Sequence, residues 1–544
     1  MSDALEVAAT GAAAEAIGNH VPGLVADRFA SKLFDQDATL WGPEAESEAS
    51  IRLSWVGLPR SSRPLVGEIS ALRSELGEAG VDHVVLCGMG GSSLAPEVIC
   101  ATYDVELTVL DSSSPDQVRE ALGDRLERTV VVVSSKSGST VETDSQRRAY
   151  EQAFTDAGID PTSRIVVVTD PGSPLDKQSR EAGYRVVNAD PDVGGRYSAL
   201  TAFGLVPSGL AGADIAALLD DAEAVSDLLA DDDEANPGLR LGAAIAGTSP
   251  LRNKLVLVDQ GSGLHGFPDW AEQLIAESTG KQGTGVLPVV VPDDSALEVA
   301  LPPHDVTVAR IVPDGDTEAD TGQSAEESTG SEVVVTGALG AQMLLWEVAT
   351  AAAGRILGIN PFDQPDVESA KKAARSMLEG TPDQTPPDFT DGSVEVRALG
   401  GDWLGDADTL PAAVAALLGQ IDGQQGYLAV MAYLDRIRNA ELAEVRNTLG
   451  HQVRRPVTFG WGPRFLHSTG QFHKGGPAEG VYLQITADPE QDLPVPGREY
   501  TFGRLIAAQS AGDATVLAEH GRPVLRLHLT DQKAGLTAVR EALS

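Results

Sequence analysis

Hydroxyl groups crowd around one lysine in Ser134-Ser135-Lys136-Ser137-Gly138-Ser139-Thr140-Val141-Glu142-Thr143. The cluster follows an apolar run, Thr129-Val130-Val131-Val132-Val133, which places it at a strand-to-helix junction. Side-chain hydroxyls, the first N–H groups of a helix and one ammonium together make a cradle for a phosphate dianion. A helix cap needs one hydroxyl, whereas residues 135, 137, 139, 140 and 143 supply five. The Gly-Lys-Ser/Thr order of a nucleotide P-loop is absent. A second loop, Cys87-Gly88-Met89-Gly90-Gly91-Ser92-Ser93, follows the apolar run Val84-Val85-Leu86. Its glycines permit a tight turn and let bare backbone N–H groups approach a ligand. Ser93 stands where a dinucleotide fingerprint requires its third glycine.

These loops need a scaffold that presents strand ends to a ligand. Further short apolar runs occur at 107–110, 164–168 and 184–187, each separated from the next by enough chain for a helix. The plan repeats at 254–258, 286–291 and 306–312, followed by a helix over about 337–357. Continuous apolar strands alternating with helices predict an α/β protein with two doubly wound parallel sheets in tandem. Residues 1–80 read as helical, from the Ala-rich stretch Ala4 to Ala16 through Ile69, Leu72 and Leu76. The expected organisation is a helical segment 1–80, α/β domains 81–235 and 236–378, and a C-terminal α+β region 396–544. Pro313 to Glu332 reads as a solvated acidic loop and 379–395 as a linker.

Eighty acidic residues against 40 basic ones leave a net charge of −40, which excludes nucleic acid and anionic membranes as partners. The same surplus fits a high-salt or acidic-proteome host. Of nine lysines, five fall in or directly beside the motifs named here (136, 281, 371, 372 and 474). Cys87 and Cys100 make no disulfide framework, and the acidic N-terminus has no basic signal-peptide region, so a cytoplasmic protein is expected. The most apolar window, 339–357, is interrupted by Glu347 and Arg355, against a membrane span. No His/Cys/Asp/Glu group has metal-ligand spacing, and no cofactor is expected.

The two loops resemble those of the sugar isomerase (SIS) fold, and with three further segments in order the chain resembles the phosphoglucose isomerase family. Gly194-Gly195-Arg196-Tyr197-Ser198 is similar to that family's arginine loop. Ala276-Glu277-Ser278-Thr279-Gly280-Lys281 is similar to the segment bearing its catalytic glutamate, and Asn360-Pro361-Phe362-Asp363-Gln364 through Lys371 to the segment ending in its active-site lysine. The resemblance spans residues 85–375. It implies sugar-phosphate contacts at Gly90, Gly91, Ser92, Ser135, Lys136, Ser137, Thr140 and Thr143. It implies aldose–ketose isomerisation of glucose 6-phosphate and fructose 6-phosphate without a metal, and a homodimer. Glu277 would shuttle a proton between C1 and C2, Arg196 would stabilise the enediolate, and Lys371 would assist ring opening. The family's ring-opening histidine follows a Gly-Gln pair between the glutamate and the lysine, a setting that His304 lacks. Gly470-Gln471 recurs later, within His467-Ser468-Thr469-Gly470-Gln471-Phe472-His473, so His473 is the expected group, ahead of His467 and then His304. A dual phosphoglucose/phosphomannose isomerase and a non-catalytic sugar-phosphate sensor remain as alternatives.

Overall fold

A computed structural model describes residues 5–313, 330–365, 378 and 386–544. Its strands are β1 (Glu6–Thr10), β2 (His83–Gly88), β3 (Thr108–Leu110), β4 (Thr129–Ser134), β5 (Ile165–Thr169) and β6 (Arg185–Asn188). They continue with β7 (Lys254–Asp259), β8 (Leu287–Val291), β9 (Val306–Ile311), β10 (Ser331–Thr336), β11 (Phe389–Asp391) and β12 (Val394–Leu399). The last four are β13 (Tyr427–Tyr433), β14 (Val457–Trp461), β15 (Gly480–Ala487) and β16 (Val524–Leu529).

The first sheet is all parallel in the order β3-β2-β4-β5-β6. Its valine runs are apolar on both faces because each face has a core of its own. Val130 and Val132 pack into one cluster, Val131 and Val133 into another. The strand order reverses between β2 and β4, and ligands of doubly wound sheets lie beyond the carboxyl ends of such a pair. The glycine loop leaves β2 and the hydroxyl loop leaves β4, so both open onto that crevice.

The second sheet repeats this plan as β8-β7-β9-β10, with β1 added antiparallel to β10, Glu6 opposite Thr336 and Thr10 opposite Glu332. Here the helical expectation for the first residues fails: the helix starts only at Gly11, and Glu6–Thr10 form a strand. The exposed edge of β10 offers this segment a ladder, and Leu5 and Val7 enter the core, which outweighs alanine's helix preference. Of the acidic loop, residues 314–329 lie outside the described residues, and its end belongs to β10. Of the expected linker 379–395, residues 379–385 lie outside the described residues, and from Phe389 the chain is a strand pair instead: Phe389–Asp391 and Val394–Leu399 form a hairpin across Gly392, whose φ is +59°.

The C-terminal region departs most from expectation. Its sheet runs β11-β12-β16-β15-β13-β14, and β14, β13, β15 and β16 are parallel in the same order as β8, β7, β9 and β10. This is a third doubly wound unit with an antiparallel hairpin at one edge, rather than an α+β region. It shares a core with the second sheet: Val256, Val289 and Val308 belong to one cluster with Tyr427, Met431 and Tyr482.

Candidate active site

Close backbone approach explains the glycines of the first loop. A Cβ on Gly91 would lie 1.9 Å from the Gly195 carbonyl oxygen, so the arginine loop packs directly on it. Gly90 has φ +57°, and a Cβ there would meet Gln273 Nε2 at 2.7 Å and His467 Cβ at 3.0 Å. One short turn thus touches the arginine loop, the helix Phe267–Thr279 and the C-terminal unit.

Arg196 is buried, and its guanidinium is held from several directions. Nε donates to Ser278 Oγ at 2.9 Å, and the NH2 group donates to the carbonyls of Pro361 (2.7 Å) and Asp363 (3.0 Å). Its NH1 group lies 3.5 Å from Glu277 Oε2 and donates to Gln364 Oε1 at 3.3 Å. Tyr197 stacks on Trp55 at 5.1 Å and packs on Phe362, giving the loop a rigid apolar back. Glu277, 5% exposed, comes from the last turn of the helix Phe267–Thr279. Lys281 is fully buried and donates to the carbonyls of Asn360 and Asp363 and to Asp363 Oδ1. Burial, then the nearby Arg196 guanidinium, lower its pKa to about 8. Arg196 and Lys281 together fix the 360–364 segment against the glutamate. Lys371 itself lies outside the described residues.

The hydroxyl loop crosses from β4 to the sixteen-residue helix Val141–Asp156. Ser135 Oγ bonds Thr140 Oγ1 at 3.3 Å and accepts from the Gly138 N–H at 3.1 Å, which curls the loop over the helix N-terminus. Ser137 and Ser139 are exposed, and Thr143 Oγ1 is buried with no hydrogen-bond partner among the described residues. The Lys136 ammonium pairs with Asp170 Oδ2 at 2.7 Å and donates to the Pro191 carbonyl at 3.0 Å.

The histidines separate by environment. His473, favoured from sequence, is buried among aromatics, its Nδ1 3.0 Å from Tyr427 Oη and its ring 5.4 Å from that of Tyr482. Burial holds its pKa well below the usual imidazole range, which suits a core residue. His304 is exposed in the turn entering the amino end of β9, opposite the ligand-binding end. His467 is the histidine at the crevice: its Nε2 lies 3.1 Å from Glu142 Oε1, and its carbonyl accepts from Gln273 Nε2 at 2.7 Å. Glu142 stands inside the hydroxyl motif, two residues past Thr140, yet no local signal distinguishes it from a first-turn helix acid. Gln273 and Gln364 likewise carry no signal of their own. Among the described residues His83, Glu106 and Asp124 bring possible metal-ligand atoms within 4.8 Å of one another, a grouping that sequence spacing does not reveal. They lie at the amino end of the first sheet, where Arg125 pairs with both carboxylates. No described helix is long and apolar enough to cross a membrane.

Several known proteins are similar to this chain. A phosphoglucose isomerase family profile matches residues 70–285. A probable glucose-6-phosphate isomerase of Natronomonas pharaonis is 30% identical over 374 residues, covering 61% of this chain and 87% of that protein. Among solved structures, a hypothetical protein of Thermus thermophilus matches with TM-score 0.57 and 26% identity, over 69% of this chain and 100% of its own. A glucose-6-phosphate isomerase of Chlamydia trachomatis shares the fold, with TM-score 0.53 and 20% identity over 66% of this chain and 85% of that one.

Proposed function

The chain belongs to the phosphoglucose isomerase family, and on that premise we propose that it interconverts glucose 6-phosphate and fructose 6-phosphate. The observation that carries this reading is the 3.5 Å approach of buried Glu277 to the Arg196 guanidinium, on the wall that also holds the glycine loop and His467. The phosphate rests on Ser135, Ser137, Thr140 and Thr143 and on the N-terminal N–H groups of the helix Val141–Asp156. With Nε2 on Glu142, His467 has Nδ1 available to exchange a proton with the ring oxygen as the C1–O5 bond opens, and Lys371 assists at the sugar oxygens. Glu277 then removes the C2 proton of the open aldose and returns it to C1. The cis-enediolate formed between these steps carries its negative charge beside Arg196, a permanent cation in a buried site. None of these proton transfers needs a metal ion.

A sensor that binds without turnover has no use for a carboxylate, a guanidinium and an imidazole converging on one pocket. Arg196 meets Glu277, and His467 meets Glu142, within one chain. Glu277→Gln tests the reading. It is expected to lower kcat at least about 1,000-fold while fructose 6-phosphate still binds by calorimetry. Retained turnover would refute the role of Glu277.

A further inference from the structure

Glu142 Oε1 is met from two sides. His467 Nε2 lies 3.1 Å away, and Gln509 Nε2, on the C-terminal helix Phe502–Glu519, donates to the same oxygen at 2.6 Å. Gln509 is 3% exposed, and its own carbonyl oxygen is buried without a hydrogen-bond partner among the described residues. Keeping an amide buried with one end unsatisfied costs stability. Among the described residues its side chain bonds Glu142 alone, so the orientation of the amide is set by that carboxylate. Docking of the helix does not need this contact. One turn on, Asp513 pairs with buried Lys474 at 2.6 Å, and Phe502 packs with Val118 and Ala149 of the first unit.

We propose that Gln509 is a positioning residue for ring opening: by holding Glu142 Oε1 it keeps that carboxylate under the His467 imidazole. This rests on the isomerase reading above. The third doubly wound unit then supplies both the histidine and the amide that fixes the histidine's carboxylate partner, and the first unit supplies the carboxylate between them. Without the amide, Glu142 loses one of the contacts that fix its Oε1, and the imidazole is held less firmly toward the ring oxygen. Proton transfer to that oxygen slows, while steps on the open chain are untouched.

The test compares wild type with Gln509→Leu and Gln509→Met, which keep the volume and remove the donor. Each variant is assayed for kcat and KM with fructose 6-phosphate, for inhibition by an acyclic five-carbon aldonate 5-phosphate, and for thermal unfolding. The acyclic compound mimics the open-chain state and needs no ring opening. The expected result is a kcat about tenfold lower, with KM and the inhibition constant within about twofold of wild type and an unchanged unfolding midpoint. An unchanged kcat overturns the proposal and leaves the isomerase reading standing. A parallel loss of kcat, inhibitor affinity and unfolding midpoint also overturns it, since that pattern marks a structural role. Absence of turnover in the wild type would instead sink the isomerase reading and this proposal with it.

Discussion

An imidazole that exchanges protons with substrate must keep one nitrogen accessible, and the histidines six residues apart at 467 and 473 differ in this respect. His473 is 2% exposed and spends Nδ1 on Tyr427, whereas His467 spends Nε2 on Glu142 at the mouth of the crevice. His467→Gln is expected to lower kcat about 100-fold or more with the cyclic substrate, read by a coupled steady-state assay. His473→Phe should leave kcat within about threefold and instead cost about 1–2 kcal/mol of stability, read by urea unfolding. The reverse pattern would restore His473 to the chemistry. Lys136, inside the hydroxyl motif, likewise owes its contacts to distant residues, Asp170 and the Pro191 carbonyl.

The helix Phe267–Thr279 is the element that unites the site. Gln273 and Glu277 stand four residues apart, on one face. The first holds the His467 carbonyl and the second lies beside Arg196, so candidate groups on two domains are tied to one rigid rod. Glu272, next to Gln273, accepts from Ser468 Oγ at 3.1 Å. Burial, and then repulsion from Asp269, raise its pKa from 4.5 to about 8. An unfolded chain releases this proton near pH 4.5 while the folded one keeps it, so the contribution of Glu272 to stability is full below pH 4.5 and is lost progressively as pH rises to about 8. Glu272→Gln removes that dependence. The difference in urea-unfolding stability, variant minus wild type, is therefore expected to grow in the variant's favour between about pH 5 and about pH 8. A difference constant with pH would show that Glu272 ionises normally.

Across the molecule, the second and third sheets are joined by a common apolar cluster and by charges that neither could bury alone. Fully buried Lys254 lies 2.9 Å from Asp305 and 2.7 Å from Glu479, and Arg455 closes on Asp305 at 2.5 Å. Separating the units would break these pairs and expose the shared apolar cluster to water. The two units are therefore expected to unfold together, with no separate calorimetric endotherm for the C-terminal unit. Net charge of −40 adds a repulsion that salt screens, so the midpoint should rise between low salt and about 1 M salt. A separate early endotherm would contradict the shared core.

Features written within a few residues of one another were readable from chain order. The parallel strands follow from runs such as Val130–Val133, and the hydroxyl cradle, Arg196 and Glu277 each stand in a short motif at a strand end or a helix terminus. The candidate motifs were legible because their residues are contiguous and stand at a strand end or a helix terminus. The remainder emerged only on folding. Which histidine meets the carboxylate is settled by a contact between residues 325 positions apart, and Gln509 reaches the same oxygen across 367 positions. Strand β1 forms because an edge 322 or more residues away offers hydrogen bonds, which outweighs a local preference for helix. Such partners leave no periodic or spacing signal, since the free energy that selects them arises only when distant segments are packed against one another and water is excluded between them.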